Sequence, residues 1–180
     1  MDWYTLFKFL HVLTAIIWIG GAFIMLMFGI NAVRQQNESQ LVAVAAQMGW
    51  AAEHVYVPAS AATVILGIVV ATIGQLWTET WVILGLVGMI ITMALGILAL
   101  TPRAKKVAAA PGPSAATVAV ARELVTLVKF DCAALFVVVG DMVLKPTASD
   151  WIVLIIMAAV VLGAGAVWLL PTLRSPKRAF

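Results

Sequence analysis

The sequence predicts an all-α fold: a polytopic integral membrane bundle of five transmembrane helices, with its N-terminus outside and its C-terminus inside. Three observations carry this. The chain of 180 residues is 64% hydrophobic and only 11% charged, where a soluble domain has about 25% charged residues. Its apolar residues are gathered into runs of about 20, the length that spans a bilayer. Its lysines and arginines fall in alternate connections. No single soluble core could bury this much apolar surface, so lipid must cover the rest. The whole of 1–180 reads as one transmembrane domain. The net charge of +3 reads as loop topology and not as a nucleic-acid footprint.

The first span covers about residues 3–31, WYTLFKFLHVLTAIIWIGGAFIMLMFGIN. It lacks a basic leader and is too long for a signal h-region, so it reads as a retained helix. A polar run, RQQNESQ, follows. Ser39 is a plausible N-cap, and Leu41, Val44, Ala45 and Met48 recur at helical spacing. They predict a short interfacial helix over 39–53. The second span covers 54–75, and Pro58 should kink it or mark its true start. A tight turn at 77–80 leads to the third span, 81–100. The longest loop, 101–122, carries PRAKK and then APGPS. Pro111 and Pro113 make it irregular, and a helix restarts after Ser114. The fourth span, 124–144, is stopped by Pro146. The fifth, 151–170, is ended by Pro171 and Pro176.

Orientation follows from the basic residues. Arg34, then Arg103, Lys105, Lys106 and Arg122, then Arg174, Lys177 and Arg178 all fall on one side if the N-terminus is outside. Trp3, Trp77, Trp81 and Trp151 then form the outer interfacial belt. Small residues mark helix-packing faces: Ser60, Gly67, Ala71 and Gly74 on the second span; Gly85, Gly88, Thr92 and Gly96 on the third; Ala159, Gly163 and Ala166 on the fifth. Such faces also suit a homo-oligomer or a larger membrane complex. The single cysteine, Cys132, excludes an intramolecular disulfide.

Ionisable residues within a bilayer are costly and are candidates for function. His11 lies eight residues past Trp3, about 12 Å below the outer belt at 1.5 Å per residue. Lys8, His11, Asp141 and Lys145 are expected at similar outer depth, with Asp141 and Lys145 at a spacing that permits an ion pair. Glu53, His54, Lys129 and Asp131 are expected as a second cluster near the inner surface. The lysines can simply snorkel to headgroups. His11 is too deep for that. It is either a neutral histidine bonded to a neighbouring helix or an axial ligand to a b-type haem. It cannot share one iron with His54, since the two differ in depth by about 15–20 Å. Met89 and Met157 lie at suitable depth for a second ligand. No zinc spacing, phosphate loop or hydrolase elbow is present.

The segment KFLHVLTAIIWIGGAF resembles the opening helix of the membrane-bound protoporphyrinogen oxidases and of the copper-resistance D-type proteins, both families of small bacterial membrane proteins. EHVYVPASAATVILG, with Glu53, Pro58, Ala59, Thr63 and Gly67, also resembles the oxidases. The whole chain, including DMVLKP, is most similar to a predicted integral-membrane family named as a domain of unknown function, number 2269. The oxidase resemblance implies haem binding at His11. Trp18 and the pair Gly20–Gly21 would shape the pocket, Lys8 or Lys145 would meet propionates, and the location would be the bacterial inner membrane. Departures on the third to fifth helices limit it to fold kinship and to the first two spans. Two other functions fit the residues: a non-catalytic subunit of a larger complex, and a small transporter with Asp141 and Asp131 as proton or cation carriers.

Overall fold

The structure is a computed structural model that describes residues 2–174. Five helices account for nearly all of them, and no strand occurs among the described residues: α1, Trp3–Arg34; α2, Glu38–Ile73; α3, Thr80–Ala108; α4, Ala115–Leu144; and α5, Trp151–Thr172. Four of them, α1, α2, α3 and α5, are long and apolar enough to cross a membrane. The fifth, α4, carries Arg122, Glu123, Lys129, Asp131 and Asp141, and it is the central helix. It packs on all the others and contributes twelve buried residues. A helix sheathed by its neighbours can hold charges that a lipid-facing helix cannot.

Several boundaries differ from the sequence reading. The expected interfacial helix and second span are one helix, α2. Its N-cap is Asn37 and not Ser39: Gln36 takes a left-handed conformation (φ 54), which reverses the chain, and the Asn37 side chain accepts from the Gln40 amide at 3.0 Å. The expected loop 101–122 is mostly helix. α3 runs on through Pro102 to Ala108, and only 109–114 is irregular before Ser114 caps α4. Pro171 lies inside a helix and does not end it. Pro176, Lys177 and Arg178 lie outside the described residues.

One device explains how three prolines are tolerated inside helices. A helical proline has no N–H to donate, and its ring strikes the carbonyl four residues back. Widening the preceding turn moves that carbonyl aside. Three π turns occur, Ala52–Tyr56, Gly96–Leu100 and Gly165–Leu169. Each begins six positions before a proline: 52 before Pro58, 96 before Pro102, 165 before Pro171.

The two ends of the bundle are built differently. At the end holding Arg34 and Lys105, α1 to α4 form a dense apolar core. Ala32, Ala45 and Ala121 are fully buried there, and Leu41, Leu124 and Val125 are nearly so. Two ion pairs ring this basic end: Arg103 with Glu123 at 2.8 Å and Lys105 with Glu53 at 2.8 Å. At the opposite end, where the chain starts and Trp3, Trp77, Trp81 and Trp151 lie, the helices splay around a cavity. The small-residue stripe of α2 packs on α1, with Gly74 against Tyr4 and Gly67 against His11. The stripe of α3 meets α4 through Gly85 and Gly88. That of α5 meets nothing: Ala159, Gly163 and Ala166 are exposed, and no residue of Trp151–Ala164 is buried.

Candidate functional site

The tryptophan-end cavity measures about 550 Å³, within the range of about 300–1,000 Å³ usual for small-molecule sites. α1 supplies Tyr4, Lys8, His11, Trp18 and Gly20; α2 supplies Thr63 and Gly67; α3 and the turn before it supply Trp77, Trp81 and Met89; and Met142 and Lys145 close the far wall. Most of the lining is aliphatic or aromatic.

His11 is the polar group built into the wall. Its Nδ1 lies 2.7 Å from the backbone carbonyl of Thr63. A carbonyl only accepts, so Nδ1 carries the proton and donates. In the neutral ring, Nε2 then holds a lone pair, and it meets no hydrogen-bond partner among the described residues. A carbonyl or carboxylate behind one ring nitrogen is how metal-ligating histidines are commonly oriented. The contact exists because position 67 has no side chain: a Cβ there would sit 3.0 Å from His11 Cε1. One turn further in, the Thr63 hydroxyl donates to Thr14 Oγ1 at 3.0 Å and ties α2 to α1 a second time. The three-residue spacing of His11 and Thr14 puts both on the face turned to α2.

Lys8 and Lys145 both line the cavity, each held over an aromatic ring: Lys8 Nζ lies 5.7 Å from the Tyr4 centroid, and Lys145 Nζ lies 5.1 Å from that of Trp81. Such contacts are worth about 0.5–1 kcal/mol at exposed sites. They leave both ammonium groups free to meet an anion. The expected pairing of Lys145 with Asp141 does not form. Lys145 is the left-handed residue that ends α4 (φ 49), so its side chain leaves the helical path and the four-residue spacing no longer applies. Asp141 is almost fully buried, beside Gly85 and Met142, and neither carboxylate oxygen meets a hydrogen bond.

Two further expected residues fall elsewhere. Gly21 does not line the cavity; it faces Tyr56, whose ring would lie 3.0 Å from a Cβ there. Met157, on α5, does not line it either, while Met89 does. The expected inner cluster is dispersed. Glu53 pairs with Lys105, and His54 stacks on Trp50 and bonds its carbonyl at 2.9 Å. Asp131 instead lines a second, smaller cavity of about 160 Å³ toward the basic end. Trp18 lines both cavities. The tryptophan-end site can therefore receive a largely apolar ligand with an anionic edge, beside a histidine whose Nε2 has no hydrogen-bond partner among the described residues.

The roles of Thr63 and Gly67 toward His11 escaped the sequence reading, which assigned both to motif or packing. Their signal was a histidine facing a glycine-containing stripe.

The family model described as predicted integral membrane protein (DUF2269) matches residues 5–146. No curated protein and no solved structure matches the chain.

Proposed function

The chain belongs to the family of predicted integral membrane proteins DUF2269, and from that premise we propose that it is a five-span redox protein holding a b-type haem in the tryptophan-end cavity, with His11 as axial ligand. In this reading all five helices cross the bacterial inner membrane, the tryptophan end faces outward, and the basic end faces the cytoplasm. The tryptophan belt and the distribution of Arg34, Arg103, Lys105 and Lys106 support that orientation.

One observation carries the haem reading: His11 donates through Nδ1 to the Thr63 carbonyl and leaves Nε2 open beside a cavity bordered by Lys8 and Lys145. The residues present fit the group. His11 would bind the iron, Lys8 and Lys145 would neutralise propionates, Trp18 and Gly20 would bound the ring, and Met89 offers a thioether. The resemblance of the first helix to the membrane-bound protoporphyrinogen oxidases points to the same histidine. A bound haem would supply one-electron redox chemistry. The chain's own part is to hold the imidazole at a set tautomer and angle, to exclude water with its apolar walls, and to place positive charge at the rim.

The test is a reduced-minus-oxidised spectrum of protein purified after haem-replete expression. Soret and α bands are expected, and they should vanish in His11→Ala while the helical circular dichroism is kept. A wild-type protein without these bands rejects the reading.

The bare face of α5 favours a second reading, a subunit that docks a larger membrane complex through Ala159, Gly163 and Ala166. Native purification tests it. A chain that always migrates alone speaks against it.

A further inference from the structure

The tryptophan-end cavity is closed along α2 and α3 and open along α1 and α4. None of its lining residues on α3 is exposed, and on α2 only Ile68 is. On the other side, Val12, Ile16 and Phe23 of α1 and Phe136, Val139 and Val143 of α4 line the cavity and are exposed as well, Ile16 at 63% and Val143 at 73%. Side chains that line a cavity while being exposed mark its mouth.

The packing of α1 on α4 explains the opening. Toward the basic end the two helices approach closely: Val125 Cγ2 lies 2.9 Å from where a Cβ of Gly29 would be. Further out, the rings of Phe23 and Phe136 meet edge-on with centroids 5.5 Å apart. Glycine lets helix backbones close up, whereas two aromatic rings hold them apart. Outward of the ring pair the cleft is open, and a Cβ at Gly20 would meet nothing within 4 Å. The exposed side chains along this mouth are aliphatic or aromatic, so it faces hydrocarbon and not water.

The outer end of the cleft has a charge preference. Lys8 on α1 and Lys145 at the end of α4 both line the cavity and are exposed. Neither pairs with a carboxylate among the described residues. Two cations at one end of an apolar cleft select an amphiphile whose polar end is an anion. Among the described residues no carboxylate, amide or serine side chain lines the cavity, so no such group is arranged to accept from the hydroxyls of a glycerol or sugar headgroup.

We propose that the cleft between α1 and α4 is a lateral portal. Through it the cavity takes an amphiphilic carboxylate from the outer leaflet, with the apolar body entering between the helices and the carboxylate held by Lys8 and Lys145. Haem, with its propionates at one edge, is such an anion, so the proposal deepens the haem reading and rests on it for the identity of the ligand alone.

The experiment uses stearate brominated at mid-chain, which quenches tryptophan on contact; Trp18, Trp77 and Trp81 line the cavity. The full chain, freed of any haem, is reconstituted in neutral phosphatidylcholine vesicles. Brominated stearate is titrated against its methyl ester, which has the chain without the charge. Stearate should quench with saturation, and the ester only in proportion to its mole fraction. Lys8→Gln combined with Lys145→Gln should raise the half-saturating mole fraction at least about ten-fold, the loss of one charge-assisted contact. Gly20→Leu, whose side chain enters open space, should abolish the saturable part while keeping the helical circular dichroism. Equal quenching by acid and ester would overturn the proposal. So would an unchanged half-saturation in the lysine variant. If that variant does not fold, Gly20→Leu decides, and undiminished saturable quenching overturns it. Brominated phosphatidylglycerol that quenches with saturation and displaces stearate would replace the carboxylate with a phospholipid and overturn it too. Haem is scored separately. Saturable stearate quenching in a protein that never shows Soret bands rejects the haem reading and keeps the portal; Soret bands without saturable quenching reject the portal and keep the haem.

Discussion

Two glycine-to-alanine substitutions at cavity-lining positions should have opposite outcomes. Gly20 and Gly67 both lie within helices and both line the tryptophan-end cavity. A Cβ at Gly20 meets nothing within 4 Å, whereas one at Gly67 would sit 3.0 Å from His11 Cε1 and 3.2 Å from Nδ1. Either alanine gains about 1 kcal/mol of helix propensity over glycine. In Gly20→Ala nothing offsets that gain, so the protein should be stabilised. In Gly67→Ala the imidazole must shift by a few tenths of an ångström. It can swing into the cavity, so the clash itself is relieved. What is lost is the 2.7 Å bond to the Thr63 carbonyl, worth about 0.5–1.5 kcal/mol net. The gain and the loss nearly cancel, and the two variants should differ by about 1 kcal/mol, or roughly 2–4 °C in Tm for a chain of this size. Thermal unfolding in detergent measures this directly. The same Gly67→Ala change should weaken any ligand held by His11, because the ring loses its anchored tautomer. If the two variants unfold together, the contact between Gly67 and His11 does not have the role assigned to it.

Three other outcomes follow from the same structure. Gly88→Ala places a Cβ 2.5 Å from Val138 Cγ2; the branched valine cannot turn away, so a loss of about 1–3 kcal/mol is expected, read as a lower unfolding midpoint. Asn37→Ala removes the oxygen that caps α2 and should cost about 1 kcal/mol, while Ser39→Ala should cost little; the two compared by thermal unfolding distinguish the caps. Asp150 accepts from the Thr147 amide and hydroxyl, both at 2.8 Å, and these bonds hold its carboxyl below the ordinary value. Its contribution is therefore present above the unfolded pKa of about 3.9 and lost as pH falls through the depressed folded value. Hydrogen exchange at the Thr147 amide should speed up in that acid window, relative to the intrinsic rate, in the wild type and not in Asp150→Asn.

The helices themselves were largely legible because an apolar signal is local, while several of their ends were not. An apolar run of bilayer length declares itself wherever it folds. Ser114 and Pro146 frame α4 as expected. The errors came where a turn used a residue without a telling preference. Gln36, Gln75 and Lys145 all take left-handed conformations, although none is glycine. Gly74, the natural candidate to end α2, is not left-handed; it is small because Tyr4 lies against it, with ring carbon Cε2 2.9 Å from where a Cβ would be. The prolines misled in a second way. Read singly, Pro171 ends a helix, but a π turn ahead of it lets the helix continue, as another does ahead of Pro102.

For the candidate site, composition and spacing alone placed His11 well inside the first apolar run and set most of the basic residues toward one end. Both follow from where residues stand along a helix. Tertiary packing decided everything that depends on a neighbour. It turned His11 toward the Thr63 carbonyl, gave Lys145 the ring of Trp81 in place of Asp141, and sent Gly20 and Gly21 to different surroundings. It also left Asp131 and Asp141 buried on α4 without hydrogen bonds to at least one oxygen each. Helical spacing says which side chains share a face. Only the partner helix, its register and the small residues on it decide what that face meets.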